Sequence, residues 1–248
     1  MNPVIEQVQQ QLNLYLQIEA PLSAQGETLH ELRVAARQLL SLFPKEEFQR
    51  QLFKRIIQAS NKIRDLDVLL LDILPKIAKE FTPQTREDLE QNLLAARALL
   101  DDEFKSFLQL DVLPELIGMN PQQMLRAQTA MAEGVEPLEQ IEKHFRQLRK
   151  RLLLVDLEEE QIHKIRLKVK RLRYQMAHHY PQEPLLDTLT FVQHQLGHFH
   201  DYAQARKLIQ RYASSLDTKT RTGLKKHLQS RQDAVLKKVR NTLKKETT

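Results

Sequence analysis

The chain contains no cysteine, no tryptophan and only five glycines among its 248 residues. Without cysteine, disulfides, thiolate nucleophiles and cysteine-based zinc sites are excluded. The glycines are spread singly along the sequence, so there is no glycine-rich Walker A loop to hold a nucleotide phosphate. Aromatic residues make up 6% of the chain, which leaves few stacking platforms for single-stranded nucleic acid.

Long apolar runs are also missing from the sequence. No window approaches the roughly 18 consecutive apolar residues that span a bilayer. The first residues, MNPVIEQVQQQ, lack the basic start and apolar centre of a secretory signal. We therefore expect a cytoplasmic protein with no membrane span. The composition, 41% hydrophobic and 28% charged, is typical of a folded chain.

Positive charge is concentrated at the C-terminal end of the chain. The net charge is +6, yet residues 217–248 carry ten basic and three acidic residues, a net of +7, so residues 1–216 sum to −1. Such an asymmetry indicates either an anionic partner or a well-solvated helix surface.

Helical periodicity dominates the whole sequence, and no stretch alternates like a β-strand. The fold class predicted is therefore all-α, with about nine helices joined by short loops. Capping-box spacing predicts helix starts at Thr28 (with Glu31) and at Asp156 (with Glu159). Thr82-Pro83 and Asn120-Pro121 resemble a cap followed by proline at the first helical position.

Turn-forming residues predict where these helices end. The expected breaks are near Gln25-Gly26, Pro44, Ser60-Asn61, Thr82, Pro114 to Asn120, Pro181 to Pro184, and Ser214 to Thr218. Segment 121–154 is the expected connection between the two halves, and Gly134 or Pro137 could kink or split its helix.

An internal repeat relates the two halves. HELRVAARQLL, starting at His30, aligns without gaps with HKIRLKVKRLRYQ, starting at His163, at an offset of 133 residues. A second pair follows, because RDLDVLL from Arg64 matches HDYAQA from His200 at an offset of 136. A repeat that shares polar as well as apolar positions predicts duplicated helical bundles that face each other.

The repeated stretches place cations on one helix face. At about 100° per residue, one side of the second stretch carries His163, Arg166, Lys170, Arg173 and Tyr174, and the apolar residues lie opposite. The first stretch repeats this pattern with His30, Arg33 and Arg37. Neither face has an acidic residue in its central span, so the adjacent cations need either solvent or a bound anion. Asp65 and Asp201 are expected to orient neighbouring cations.

A metal site is a weaker alternative. His194 and His198 have the i,i+4 spacing of a chelating pair, with His178 and His179 nearby in sequence. No HExxH motif and no clear third ligand accompany them. We expect no metal and no cofactor.

These motifs resemble the CHAD domain, the conserved-histidine α-helical domain. The resemblance extends over almost the whole chain and implies one CHAD domain over residues 1–248, with internal repeats at about 20–118 and 121–246. It also implies two pseudo-twofold-related four-helix bundles with a basic cavity or groove between them. Family members bind inorganic polyphosphate, some associate with polyphosphate granules, and they are not known as enzymes.

Carried over position by position, the resemblance implies a ligand site formed by both repeats. The polyphosphate-binding residues expected are His30, Arg33, Arg37, Arg64, His163, Arg166, Lys170, Arg171, Arg173, Tyr174, His200, Lys225 and Lys226. Gln38 and Leu40 replace basic residues common in the family, so we expect the second repeat to contribute more. Binding of nucleic acid, or of polyanions in general, is the alternative function.

Overall fold

The computed structural model describes residues 3–42, 48–118, 136–212 and 217–245, without the side chains of residues 3–5, 41–42, 48–49 and 178. All regular elements in these ranges are helical, which confirms the predicted all-α class. The chain divides into two compact units, Met1–Gly134 and Val135–Thr248. None of the described helices is both long enough and apolar enough to cross a membrane.

The first unit contains six α-helices within its described residues. They are α1 (Pro3–Gln17), α2 (Leu22–Leu42), α3 (Phe48–Ala59), α4 (Asn61–Asp67), α5 (Pro83–Phe107) and α6 (Leu113–Ile117). Helix α2 packs against α1, α3 and α4, and α4 packs against α5. Fully buried side chains such as Leu12, Leu32 and Phe53 form the core between them.

Two π-helical segments interrupt this unit, each just before a proline. Val68–Ile73 precedes the 3₁₀-helix Leu74–Glu80, which contains Pro75, and Leu108–Val112 precedes α6, which contains Pro114. Proline has no N–H to donate, and its ring crowds the carbonyl four residues earlier. The preceding turn widens in response, which is a common origin of π-helical turns and kinks.

A charged network is buried inside the first unit. Arg97 of α5 donates from Nε to Asp67 Oδ1 (3.0 Å) and from Nη1 to Gln25 Oε1 (2.8 Å). Its Nη1 also lies 3.4 Å from Asp101 Oδ1, which accepts the Tyr15 hydroxyl proton. Burial raises the pKa of Tyr15, and Asp101 raises it further, so the phenol stays protonated. The network connects α1, α2, α4 and α5.

The predicted helix start and break within α2 are wrong. Gln25, Gly26 and Thr28 all lie inside this helix, and the Thr28 hydroxyl donates to the Ala24 carbonyl (2.9 Å) instead of capping an end. Gly26 serves close packing, because a Cβ there would lie 3.3 Å from Leu71 Cδ1.

The second unit contains four described helices. They are α7 (Leu138–Leu152), α8 (Glu159–His179), α9 (Leu185–Tyr212) and α10 (Thr218–Lys245). Consecutive helices pack against each other, α7 on α8, α8 on α9 and α9 on α10. Their core contains Ile141, Val169, Leu196 and Val239, all without solvent exposure.

Other predicted helix boundaries have mixed outcomes. Thr82 caps α5 as expected, accepting from the Thr85 N–H (3.2 Å). The cap of α8 is Glu158 with Gln161 instead of Asp156 with Glu159, because Glu158 is the residue that has extended backbone directly before the helix. The predicted breaks at Ser60-Asn61 and Pro181 to Pro184 are confirmed, and α6 extends through Pro114.

Of the predicted connection over 121–154, residues 121–135 lie outside the described residues, and in the remainder α7 begins at Leu138 directly after Pro137. The expected features at Pro44, Asn120-Pro121, Gly134 and Ser214 lie outside the described residues. Helix α10 begins after Asp217, whose carboxylate accepts from the N–H groups of Lys219 and Thr220.

We predict that Arg97→Met lowers the free energy of unfolding of the first unit by about 3 kcal/mol, because it leaves Asp67 as a buried charge without its cation. Arg86→Met is the matched control on α5: its pair with Glu90 is partly exposed and is worth less than about 1 kcal/mol. Urea denaturation followed by circular dichroism measures both, and equal losses would contradict a structural role for the buried network.

Candidate anion-binding site

Helices α8 and α9 run antiparallel and bring the second-repeat residues together. Arg173 Nε donates to Gln193 Oε1 (2.6 Å). The rings of His163 and His200 lie 5.1 Å apart between centroids. Residue numbers thus fall along α9 as they rise along α8, which places the two repeat motifs side by side.

A cavity of about 270 Å³ opens where these motifs meet. We call it the histidine cavity; it is lined by Glu159, Glu160, Ile162, His163, Arg166, Leu196, Phe199, His200, Gln204 and Lys207. A water molecule occupies about 30 Å³ of liquid volume, so the space suffices for a small polyatomic anion. All its lining residues belong to α8 and α9.

The formal charges of the histidine cavity balance when its imidazoles are neutral. Arg166 and Lys207 contribute two positive charges, and Glu159 and Glu160 contribute two negative charges. Protonation of both histidines would bring the sum to +2. Partial burial lowers the pKa of His163, and the charges of Arg166 and Lys207 lower it further, against the smaller effect of Glu160. The attraction of the cavity for an anion therefore depends on histidine protonation.

The sequence predicted three of the four cationic or titratable donors that line the histidine cavity. His163, Arg166 and His200 lie together as expected, whereas Lys207 was not predicted. Lys207 follows His200 by seven residues on α9, so the two share a helix face. That spacing was the available signal, but the repeat comparison did not extend so far along α9.

A second cationic group lies further along α8. The Tyr174 side chain is 46% exposed, with the Arg173 guanidinium 4.4 Å and the Lys170 ammonium 5.7 Å from its ring centroid. Cations over a tyrosine ring are attracted to its π face. Arg171 is exposed on the same helix. These residues extend the basic surface of α8 beyond the histidine cavity.

In the first unit, Arg33 does not lie on an open face as predicted. Its side chain is buried (4% exposed) and donates to the Ile57 carbonyl, the Ser60 hydroxyl and the Asn61 side-chain oxygen (2.9 Å). The junction of α3 and α4 covers the guanidinium, so helical periodicity alone could not reveal its burial. Arg33 therefore fastens α2 to this junction, while its counterpart Arg166 lines a cavity.

Two further arginines lie close enough to Arg33 to affect its pKa. Burial lowers the pKa of Arg33 to about 9, with further lowering by the charges of Arg37 and Arg64 and an opposing effect of Asp65. Arg64 Nη1 donates to Asp65 Oδ1 (3.3 Å), the kind of contact expected for this carboxylate. Arg37 is half-buried and His30 is exposed.

The remaining predicted residues lie apart from the histidine cavity. Lys225 lines a small cavity of about 220 Å³ together with Arg206 and Arg221. Lys226 is exposed on α10, and Asp201 is half-buried on α9 directly after His200.

His194 and His198, the pair considered as metal ligands, lie next to each other on α9. The rings of His194 and His198 meet edge to face, 4.4 Å apart. The described part of the chain contains no group of three or more potential histidine or carboxylate ligands. The side chain of His178 is outside the described set.

We expect the equivalent substitutions Arg33→Gln and Arg166→Gln to affect stability differently. Losing the charge-assisted hydrogen bonds of Arg33 should cost about 2 kcal/mol or more, because each acceptor would remain partly buried. Arg166→Gln should cost less than about 1 kcal/mol, because Arg166 is only half-buried and lies at the wall of a cavity. Thermal denaturation of both variants tests this, and a similar loss for each would refute the division of roles.

Comparisons with known proteins bear on the fold and the family. The crystal structure of the CHAD domain from the plant Ricinus communis aligns with a TM-score of 0.70 at 20% sequence identity, over 97% of this chain and 87% of that chain. At this identity the likeness concerns the fold. The comparison with curated proteins gave no match. The CHAD domain family model matches residues 6–210, well over half of the sequence, and the chain belongs to the CHAD domain family.

Proposed function

We propose that the protein binds inorganic polyphosphate and does not itself catalyse a reaction. The observation that carries this proposal is the histidine cavity, in which His163, Arg166, His200 and Lys207 converge from two helices. Membership of the CHAD domain family supports the same ligand, given the family's association with polyphosphate. In this proposal the protein works in the cytoplasm and accompanies polyphosphate granules.

The donor chemistry of the cavity suits a phosphate chain. Polyphosphate offers only oxygen acceptors and carries about one negative charge per phosphate. Arginine supplies a planar fork of N–H donors, and lysine supplies a mobile point charge. Lys170 and Arg173 continue the basic surface along α8, so a linear anion could contact cations beyond the cavity. The basic groove between the two repeats, implied by the family resemblance, stays a prediction.

Nucleic acid is the competing ligand, and Tyr174 is the observation in its favour. An exposed ring flanked by Lys170 and Arg173 could stack on a base while the cations meet its phosphates. Polyphosphate, in contrast, has no bases that could stack on this ring. The two ligands therefore differ in how much they should depend on Tyr174.

We predict that long-chain polyphosphate binds more tightly than a single-stranded oligonucleotide at equal phosphate concentration, at every salt concentration tested. Arg166→Gln should weaken polyphosphate binding about tenfold, the effect of losing one charge-assisted hydrogen bond, whereas Tyr174→Leu should weaken it less than it weakens oligonucleotide binding. Lys168→Gln, an exposed α8 residue outside the cavity, controls for loss of one charge. Fluorescence anisotropy gives the affinities. Equal affinities with equal salt slopes would make the protein a general polyanion binder.

We predict that polyphosphate binds more tightly at pH 6 than at pH 8 at constant salt. The free protein holds the pKa of His163 below its usual value, and a bound anion raises it by favouring the imidazolium. Binding therefore takes up a proton, and affinity rises as the pH falls through the window between the bound and free pKa values. His163→Gln should flatten this profile, whereas His194→Gln, on the exposed part of α9, should not. An unchanged profile in His163→Gln would refute the contribution of this histidine.

A further inference from the structure

Glu159 lies where two cavities of the second unit adjoin. It is the first residue of α8 and lines both the histidine cavity and a larger cavity of about 710 Å³. Ile162 and Phe199 also line both cavities. An acidic side chain thus stands at the edge of a site that otherwise presents donors for anions.

The Glu159 carboxylate already binds the cations next to it. Its Oε1 lies 2.8 Å from Lys207 Nζ, and its Oε2 lies 2.6 Å from Arg206 Nη2. Partial burial alone would raise the pKa of Glu159, but these contacts with Lys207 and Arg206 outweigh burial and lower it. The group is therefore ionised at neutral pH.

We propose that Glu159 is an internal counter-ion that competes with bound phosphate for Lys207. This competition makes the histidine cavity favour long phosphate chains over small anions. This inference rests on the proposed function, because it concerns the same site. A phosphate that enters the cavity must share Lys207 with the carboxylate or displace it. Lys207 is 59% exposed at its side chain, so the ammonium has room to turn from one acceptor to the other.

The charge balance explains why this competition affects specificity. The other charged or titratable groups that line the cavity are Glu160, His163 and Arg166 of α8 and His200 and Lys207 of α9. With Glu159 ionised and the imidazoles neutral, they leave no net charge to attract a small anion. A long chain gains in addition from cations outside the cavity, such as Lys170 and Arg173, and so overcomes the competition.

Glu160 provides a matched control one residue along the same helix. It also lines the cavity and carries the same charge. Its partner, however, is Lys164 (2.7 Å), and the side chains of that pair are 74% and 67% exposed. Lys164 is not among the lining residues. Removing the Glu160 charge therefore changes the local field without releasing a cavity cation.

The test uses tripolyphosphate as a probe small enough to depend mainly on the cavity, with affinities measured by isothermal titration calorimetry at pH 7.5. Glu159→Gln should tighten binding about fivefold, the upper range for the loss of a competing partly exposed ion pair, and Glu160→Gln should tighten it less than about twofold. Equal gains in both variants would overturn the proposal, because they would reflect only the net charge.

Glu159→Asp separates the contact from the charge. The shorter side chain keeps the negative charge and suits a helix N-terminus, but it withdraws the carboxylate from Lys207. We expect about twofold tighter binding of tripolyphosphate by this variant, as expected when a weak ion pair is lost, and no change for Glu160→Asp. Unchanged affinity in Glu159→Asp would overturn the proposal even if Glu159→Gln failed to fold, a possibility checked by its melting temperature.

The wild-type protein distinguishes this inference from the proposed function. If it binds neither tripolyphosphate nor long-chain polyphosphate, the proposed function fails and the inference fails with it. If it binds long-chain polyphosphate while the Glu159 and Glu160 variants behave alike, only the inference fails.

Discussion

Repulsion between like charges is the constraint on which the arrangement of both repeat helices depends. Cations that share one helix face must be solvated, neutralised or hydrogen-bonded by neutral oxygens. In the first unit, neutral oxygens stabilise Arg33, which donates hydrogen bonds to Ile57, Ser60 and Asn61. In the second unit, the equivalent Arg166 lines a cavity, and Glu159 neutralises Arg206 and Lys207 of the neighbouring helix α9. Equivalent positions of the two repeats thus have different surroundings.

The two units also differ in the polar side chains that they bury. Arg97 lies fourteen residues after the first residue of α5, Pro83, and Gln232 lies fourteen residues after the first residue of α10, Thr218. Both side chains are buried (4% and 1% exposed). Arg97 is accompanied by carboxylates, whereas Gln232 donates to the Phe199 carbonyl (3.3 Å). Arg97 thus belongs to a buried charged network, whereas Gln232 is a neutral amide and avoids the cost of burying an ion.

The sequence predicted the helical class and the faces of the repeat helices, because both follow from a local period of 3.6 residues. The proximity of His163 and His200 was implied by the family resemblance, which assigns both residues to one ligand site. The burial of Arg33 was beyond such reasoning, as it depends on the α3–α4 junction that covers the residue. The Thr28 cap was wrong for a similar reason: a threonine also satisfies its hydroxyl within a helix, through the carbonyl four residues earlier.

The hydrogen bonds of Arg33 have a consequence for how a duplicated chain can diverge. Two arginines at equivalent positions would look interchangeable in any alignment of the halves, yet one is hydrogen-bonded inside the fold and the other faces a cavity. Selection on the first copy would then act through the abundance of folded protein, and selection on the second through its interactions. After a duplication, one copy can become the scaffold while the other remains open to evolutionary change in what it binds.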